Sequence, residues 1–322
     1  MQEELYVGVD VCKAWLDVAC VPALPAEQAL PARVDNQEQA RAGLVGQLAK
    51  LKPKLVVLEA TGGWEAALAG ELCAAGVAVV IVNPKRVRDF AKAACILAKT
   101  DRLDAQVLAL FGLRMQPPVR EMPDEAQQEI MELVDRRAQL VTMRAQEKNR
   151  LGTVKPVARK SVREHIQWLD ARIKQIERDL DKRLKDSPVY KARYDLLDSI
   201  PGVGRVTIAA VLGRLPELGS IDRKRLAALV GVAPFSDDSG KRRGQRYIQG
   251  GRADVRCALY MAAHNAARWN PAIKDLFERL IAQGKPYKLA MTACIRKLLT
   301  IMNAIVKSGQ PWSNKMANAE LA

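Results

Sequence analysis

Two short, almost unbroken apolar runs constrain the fold of the first third of this chain more than any other feature. They are Lys54-Leu55-Val56-Val57-Leu58-Glu59 and Val77-Ala78-Val79-Val80-Ile81-Val82. A strand with one wet face alternates apolar and polar residues. A continuous Val/Ile/Leu run marks a strand covered on both faces, as in a parallel sheet flanked by helices. Between the runs, Trp64 to Ala74 has helical character and stops at Gly76, and Asn83-Pro84 closes the second run. Upstream, Leu5-Tyr6-Val7-Gly8-Val9-Asp10 and Trp15 to Val21 are β-rich and separated by a few residues, which reads as a hairpin. Downstream, Thr100 is placed to cap a helix running through Asp104, Val107, Leu108 and Phe111. The expectation over 1–120 is an α/β domain with an early hairpin, parallel strands and helices packed on the sheet.

Pro117-Pro118 and Pro123 break this pattern, and the segment 121–191 is helical and highly charged. Ile166, Leu169, Ile173, Ile176, Leu180 and Leu184 recur at alternating spacings close to a heptad seam. A weaker stripe (Ile130, Leu133, Val134, Leu140, Val141) precedes Pro156. The segment is expected to be an antiparallel helical hairpin, a coiled-coil arm. Because narrow apolar stripes bury little alone, dimerisation is favoured over simple packing within the chain. A third segment, 192–322, is helical and basic, with a frayed tail from Asn314.

Charge narrows the partner. The chain carries 51 Lys and Arg against 36 Asp and Glu, a net charge of +15, which favours a polyanion. The six cysteines show no C-x-x-C spacing and there are only two histidines, so no zinc template fits. Dispersed thiols suit a reducing compartment. The start lacks the charged and apolar regions of a signal peptide, and no apolar run approaches the roughly 18 to 20 residues of a membrane span. The protein is expected to be cytoplasmic, with no membrane partner.

Four acids stand where chemistry is expected. Asp10 closes the first strand and Glu59 closes a buried one, and sites form at the carboxyl ends of strands in open α/β sheets. Asp101 and Asp104 are three apart on one helix face. If that helix lies over the strand ends, four carboxylates converge, and they would repel unless a hard cation, Mg²⁺ or Mn²⁺, held them. Each has a plainer reading, as turn former, lysine partner or favourable charge at a helix start.

Gly8-Val9-Asp10 with Lys13, Glu59-Ala60-Thr61-Gly62, and Lys99-Thr100-Asp101-Arg102-Leu103-Asp104-Ala105 resemble the DEDD-type transposases of bacterial insertion sequences. The match is to the family numbered one hundred and ten, which is similar to the pilin-gene invertases. The resemblance implies a ribonuclease-H-like, RuvC-type first domain that holds divalent metal on Asp10, Glu59, Asp101 and Asp104.

Two features mark the last segment. Ser199-Ile200-Pro201-Gly202-Val203-Gly204 before a helix resembles a helix-hairpin-helix element, in which Gly202 and Gly204 would leave backbone N–H groups for a phosphate. The plainer reading makes these glycines ordinary caps. Then Lys241, Arg242, Arg243, Arg246, Arg252 and Arg256 crowd six positive charges into sixteen residues interrupted by glycines, a candidate nucleic-acid contact with Tyr247 available to stack. The residues alone leave Ser236 and Ser239 as equivalent turn serines. The resemblance of Asp237-Asp238-Ser239-Gly240 and Arg256-Cys257-Ala258-Leu259-Tyr260-Met261 to the same family's S-G and R-x-x-L-Y-M block implies that Ser239 is the nucleophile.

The expected function is a DNA recombinase that cleaves and rejoins strands through Ser239 with Mg²⁺ on the four acids, assembled as a homo-oligomer (dimer or tetramer). The acids and the serine lie far apart in sequence and must meet by folding or across a dimer. The resemblance further implies a structured guide RNA, a bridge RNA, pairing with donor and target DNA. The alternatives are a RuvC-like junction-resolving nuclease using water, an actin-like ATPase, whose further glycine-rich phosphate loops are not found, and a non-catalytic nucleic-acid binder.

Overall fold

The computed structural model describes residues 4–98, 100–119, 124–240, 242–244 and 246–313. Lys99, Pro123, Lys241 and the tail from 314, on which parts of the sequence reading fall, lie outside these residues. Contacts divide the chain into two compact units, Met1–Met122 and Pro123–Ala322.

The first unit is built on β1 (Tyr6–Val11), β2 (Trp15–Val21), β3 (Arg33–Asp35), α1 (Glu38–Leu51), β4 (Leu55–Glu59), α2 (Glu65–Ala74), β5 (Val79–Val82), α3 (Pro84–Ala93) and α4 (Asp101–Met115). Its sheet has the order β3-β2-β1-β4-β5. The expected hairpin is β1 against β2, antiparallel, while β1 with β4 and β4 with β5 are parallel. The apolar runs are thus β4, beside the central strand β1, and β5, at one edge of the sheet, and both are covered on both faces. Leu44 and Leu48 of α1 and Leu68 and Leu72 of α2 pack on Val7, Val9 and Leu58. On the other face, Val87 and Ala91 of α3 and Val107, Leu108 and Phe111 of α4 pack on Tyr6, Leu55 and Val57. Strand alternation therefore puts Tyr6, Gly8 and Asp10 on the α4 face. Local caps fix the helix starts: the Thr100 side chain accepts from Leu103 N at 3.3 Å, and Asn83 accepts from Lys85 N at 2.9 Å. Edge strand β3 and helices α1 and α3 were not anticipated. β3 is three residues long and half-exposed, too short to show a period.

Gly8 sets how close α4 comes. A Cβ there would lie 2.2 Å from Ala105 O, 2.4 Å from Ala109 N and 2.7 Å from Leu108 Cβ. No side chain fits, so helix backbone rests directly on strand backbone.

The second unit is mainly helical: α5 (Glu125–Leu151), α6 (Pro156–Asp186), α7 (Pro188–Asp198), α8 (Arg205–Arg214), α9 (Arg223–Val230), α10 (Ala253–Trp269), α11 (Pro271–Ala282) and α12 (Tyr287–Ser308), with a small hairpin of β6 (Asp238–Ser239) and β7 (Arg242–Arg243). α5 and α6 form the expected antiparallel pair, laced by Arg137 to Glu177, Arg144 to Asp170 and Arg183 to Glu129. The heptad-like seam is covered within the chain: Leu169 and Ile173 pack on Leu140, and Leu180 and Leu184 join the main core with Ile130. A dimer would have to use other faces. The arm's base is continuous with that core, so arm and C-terminal helices share one unit. α12 is long and apolar enough to cross a membrane by length and composition, but Met291, Cys294, Leu298 and Met302 on it are buried among the other helices.

Candidate active site

The structure brings together the first-unit acids at the carboxyl edge of the sheet, on the α4 face. Asp10 is half-buried near the end of β1 and Glu59 ends the adjacent β4. Asp101 and Asp104 lie in the first turn of α4, which Gly8 seats against β1. Burial, together with the charges of Glu59, Asp104, Asp101 and Asp17, pushes the Asp10 carboxyl up to about 6. A cleft of about 290 Å³ is lined by Glu59 and Asp104 on one side and by Lys85 and Arg88 of α3.

Two of these neighbours were not anticipated. Asp17 faces Asp10 across the β1–β2 pair, and Arg33 faces Asp17 from β3. Like charges directly opposite on one sheet face repel. Arg33 offsets this by donating to both Asp17 carboxylate oxygens at 2.9 Å, leaving Asp17 only 4% exposed. The same guanidinium reaches Asp101 at 3.5 Å. Only the register of a strand with no sequence signature could reveal this. Glu65 was also missed. Its Oε2 accepts from Thr61 N, Thr61 Oγ1 and Gly63 N at 3.1, 2.9 and 2.9 Å, which shapes the turn after Glu59. Burial would raise this carboxyl, but those bonds outweigh it and hold it below its ordinary value.

The acids fit a divalent cation by chemistry, since oxygen donors suit Mg²⁺ or Mn²⁺, and by the mutual repulsion felt at Asp10. Among the described residues, however, no three Asp, Glu, His or Cys side chains stand at ready-made ligand spacing. Asp101 is turned to Arg33 rather than inward.

In the second unit, Ser239 ends β6 and is paired in register with Arg242, with Asp238 opposite Arg243. Ser236, Ser239, Arg242, Arg243 and Arg246 are all exposed. Tyr247 is half-exposed and bridges to Phe235, with ring centroids 6.3 Å apart. Arg252 and Arg256 are engaged inside the protein. Arg252 grips Glu217 with two bonds, 2.6 and 2.8 Å, and Arg214 O at 2.7 Å. Arg256 donates to Val230 O at 3.0 Å and Gly250 O at 2.6 Å, tying the loop down. Gly202 has φ +90° and its absent Cβ would lie 2.5 Å from Ala266 Cα, so close packing on α10 explains this glycine. Gly204 is the exposed N-cap of α8 with open space around it.

Comparison with known proteins covers both units. Residues 7–154 match the DEDD transposase family model of the IS110 type, and residues 194–278 match the model of the transposase IS116/IS110/IS902 family. The pilin gene-inverting proteins of Moraxella lacunata and Moraxella bovis are each 28% identical over 267 residues, 81% of this chain and 82% of theirs. The insertion element IS110 uncharacterized 43.6 kDa protein of Streptomyces coelicolor is 28% identical over 130 residues, 39% of this chain and 32% of that protein.

Proposed function

The chain belongs to the IS110 family of insertion-sequence transposases, and on that premise we propose that it cleaves and rejoins DNA through Ser239, with divalent metal held on Asp10, Glu59, Asp101 and Asp104. The observation that carries the reading is the crowding of carboxylates around Asp10 where strand ends meet α4. The sheet order, an antiparallel meander followed by two parallel strands, supports a ribonuclease-H-like, RuvC-type first domain over 1–120. The arm, 121–191, would serve assembly of an oligomer, and 192–322 would carry the serine.

A divalent ion bound by the carboxylates would supply positive charge for phosphodiester chemistry. The chain's own residues do the rest. Ser239 Oγ attacks a backbone phosphorus; the Oγ–P bond forms, a strand P–O bond breaks, and the departing oxygen takes up a proton. Attack by a strand hydroxyl on that ester reverses the sequence, restoring a phosphodiester and the free serine. Arg242 and Arg243, on the strand paired with β6, offset charge gathering on the phosphoryl oxygens. The named activity of the Moraxella relatives, gene inversion, supports including the rejoining step. Gly204, Lys241 and Arg246 would add backbone contacts, whereas the bonds of Arg252 and Arg256 and the packing of Gly202 give those three a structural part. A protein so basic and so poor in aromatics also suits a structured guide RNA that takes over sequence readout, in the cytoplasm.

The test is the protein–DNA ester. Ser239→Ala abolishes both rejoining and any denaturant-stable adduct, whereas Ser236→Ala keeps them. Mass spectrometry of nuclease-treated adduct finds the nucleotide on the Ser239 peptide. Normal recombination by Ser239→Ala would transfer the reading to a water-using nuclease.

A further inference from the structure

Two tryptophans stand exposed at the edge of the sheet that carries the acids. Trp64 is 48% exposed in the turn after Glu59, and Trp15 is 36% exposed at the start of β2; neither belongs to the apolar cores of the first unit. Each ring has a cation over it: Lys13 lies 5.7 Å from the Trp64 centroid and Arg33 lies 4.7 Å from that of Trp15. Lys13 belongs to the β1–β2 turn that leads into Trp15, and the start of β2 and the turn after β4 lie at the same end of the sheet, so the two ring–cation pairs share that end. The Trp15 pair adjoins the acids, because Arg33 also reaches Asp101.

We propose that Trp64 and Trp15, with Lys13 and Arg33 beside them, form a stacking rail for unpaired bases of the DNA strand that runs past the carboxylates. The proposal rests on the DNA-processing reading above and adds how the strand is held. A large apolar ring left in water gains by covering its face, and every base offers a flat π surface. Lys13 matches the phosphates between successive bases, whereas Arg33, already held by Asp17 and Asp101, fixes the Trp15 ring beside the acids. Bases in an intact duplex have both faces covered by neighbours, so the rail selects strand that is locally unpaired. Delivering an unpaired segment here would set its backbone beside Asp101 without any base-specific contact.

The test uses the full chain in EDTA with a fluorescent single-stranded DNA of mixed sequence, the same sequence as duplex, and the same sequence as RNA. Trp64→Leu and Trp15→Leu keep apolar bulk but remove the indole. Each weakens single-strand DNA binding roughly tenfold and changes duplex binding by less than about twofold, and Trp64→Phe recovers most of the loss. Tryptophan quenching by the single strand shrinks in the Leu variants. Parent-like single-strand binding, or equal losses on single strand and duplex, overturns the rail. A loss on RNA clearly larger than that on DNA overturns DNA as its occupant. Asp104→Asn, assayed in parallel for metal-dependent cleavage and for binding, separates the readings. Cleavage by Asp104→Asn sinks the metal assignment alone, and unaltered binding by Trp64→Leu sinks the rail alone.

Discussion

Replacing Gly8 with alanine tests whether backbone contact between β1 and α4 is what assembles the acid cluster. The new Cβ would lie 2.2 Å from Ala105 O and 2.4 Å from Ala109 N, both main-chain atoms of a helix that cannot rotate aside. Ordinary van der Waals contact needs about 3.5 Å, so α4 has to lift by roughly 1 Å. Overpacking of this kind costs about 1–3 kcal/mol, offset in small part by the lower chain entropy of alanine in the unfolded state. For a unit of this size the melting temperature then falls by roughly 5–10 °C. Because Asp101 and Asp104 ride on the lifted first turn, metal-dependent cleavage falls more steeply than stability. Calorimetry of the full chain reads the first effect and strand cleavage the second. Gly43→Ala and Gly70→Ala, on α1 and α2 with nothing near the new methyl, are controls that hold or raise stability. A Gly8→Ala protein that melts within a degree or so of the parent and cleaves normally would refute the reasoning.

Three further outcomes follow from the same geometry. Asp10→Asn removes cleavage but leaves nucleic-acid binding intact; by relieving like-charge crowding it also stabilises the protein in EDTA by about 1 kcal/mol, discounted for the half-open site. Full cleavage in EDTA would dispose of the metal reading. Arg242→Ala with Arg243→Ala flattens the slope of log affinity against log salt by about two units at most, whereas an unchanged slope means the hairpin faces solvent in the complex. Glu65→Gln destabilises by about 1–2 kcal/mol near neutrality, because three bonds to a carboxylate weaken. The folded Glu65 carboxyl lies below its ordinary 4.5, so its contribution is complete above that value and fades as pH falls through the lower folded value. A parent-to-variant difference that stays constant down to pH ~3 contradicts this linkage.

The sequence by itself determined what is local. Unbroken apolar runs identified β4 and β5, the β-rich pair identified the β1–β2 hairpin, Asn83-Pro84 marked the end of β5, and Thr100 marked a helix start that the structure caps as expected. Acids at strand ends and in a first helical turn were legible as a cluster in waiting, since strand direction and helix spacing dictate where such side chains point. Tertiary structure alone decided the partners. Burial has a period in the sequence but no address: the α6 seam signalled an apolar neighbour, and that neighbour is α5 of the same chain. Arg252 and Arg256 looked like their neighbours in a basic run, yet carbonyls and Glu217, distant in sequence, claim them. Asp17 and Arg33 became part of the site because an edge strand of three residues, too short to carry a pattern, settled beside β2. Gly8 showed the same division of labour: a glycine in a strand announces a close approach, but only the packed helix says what approaches.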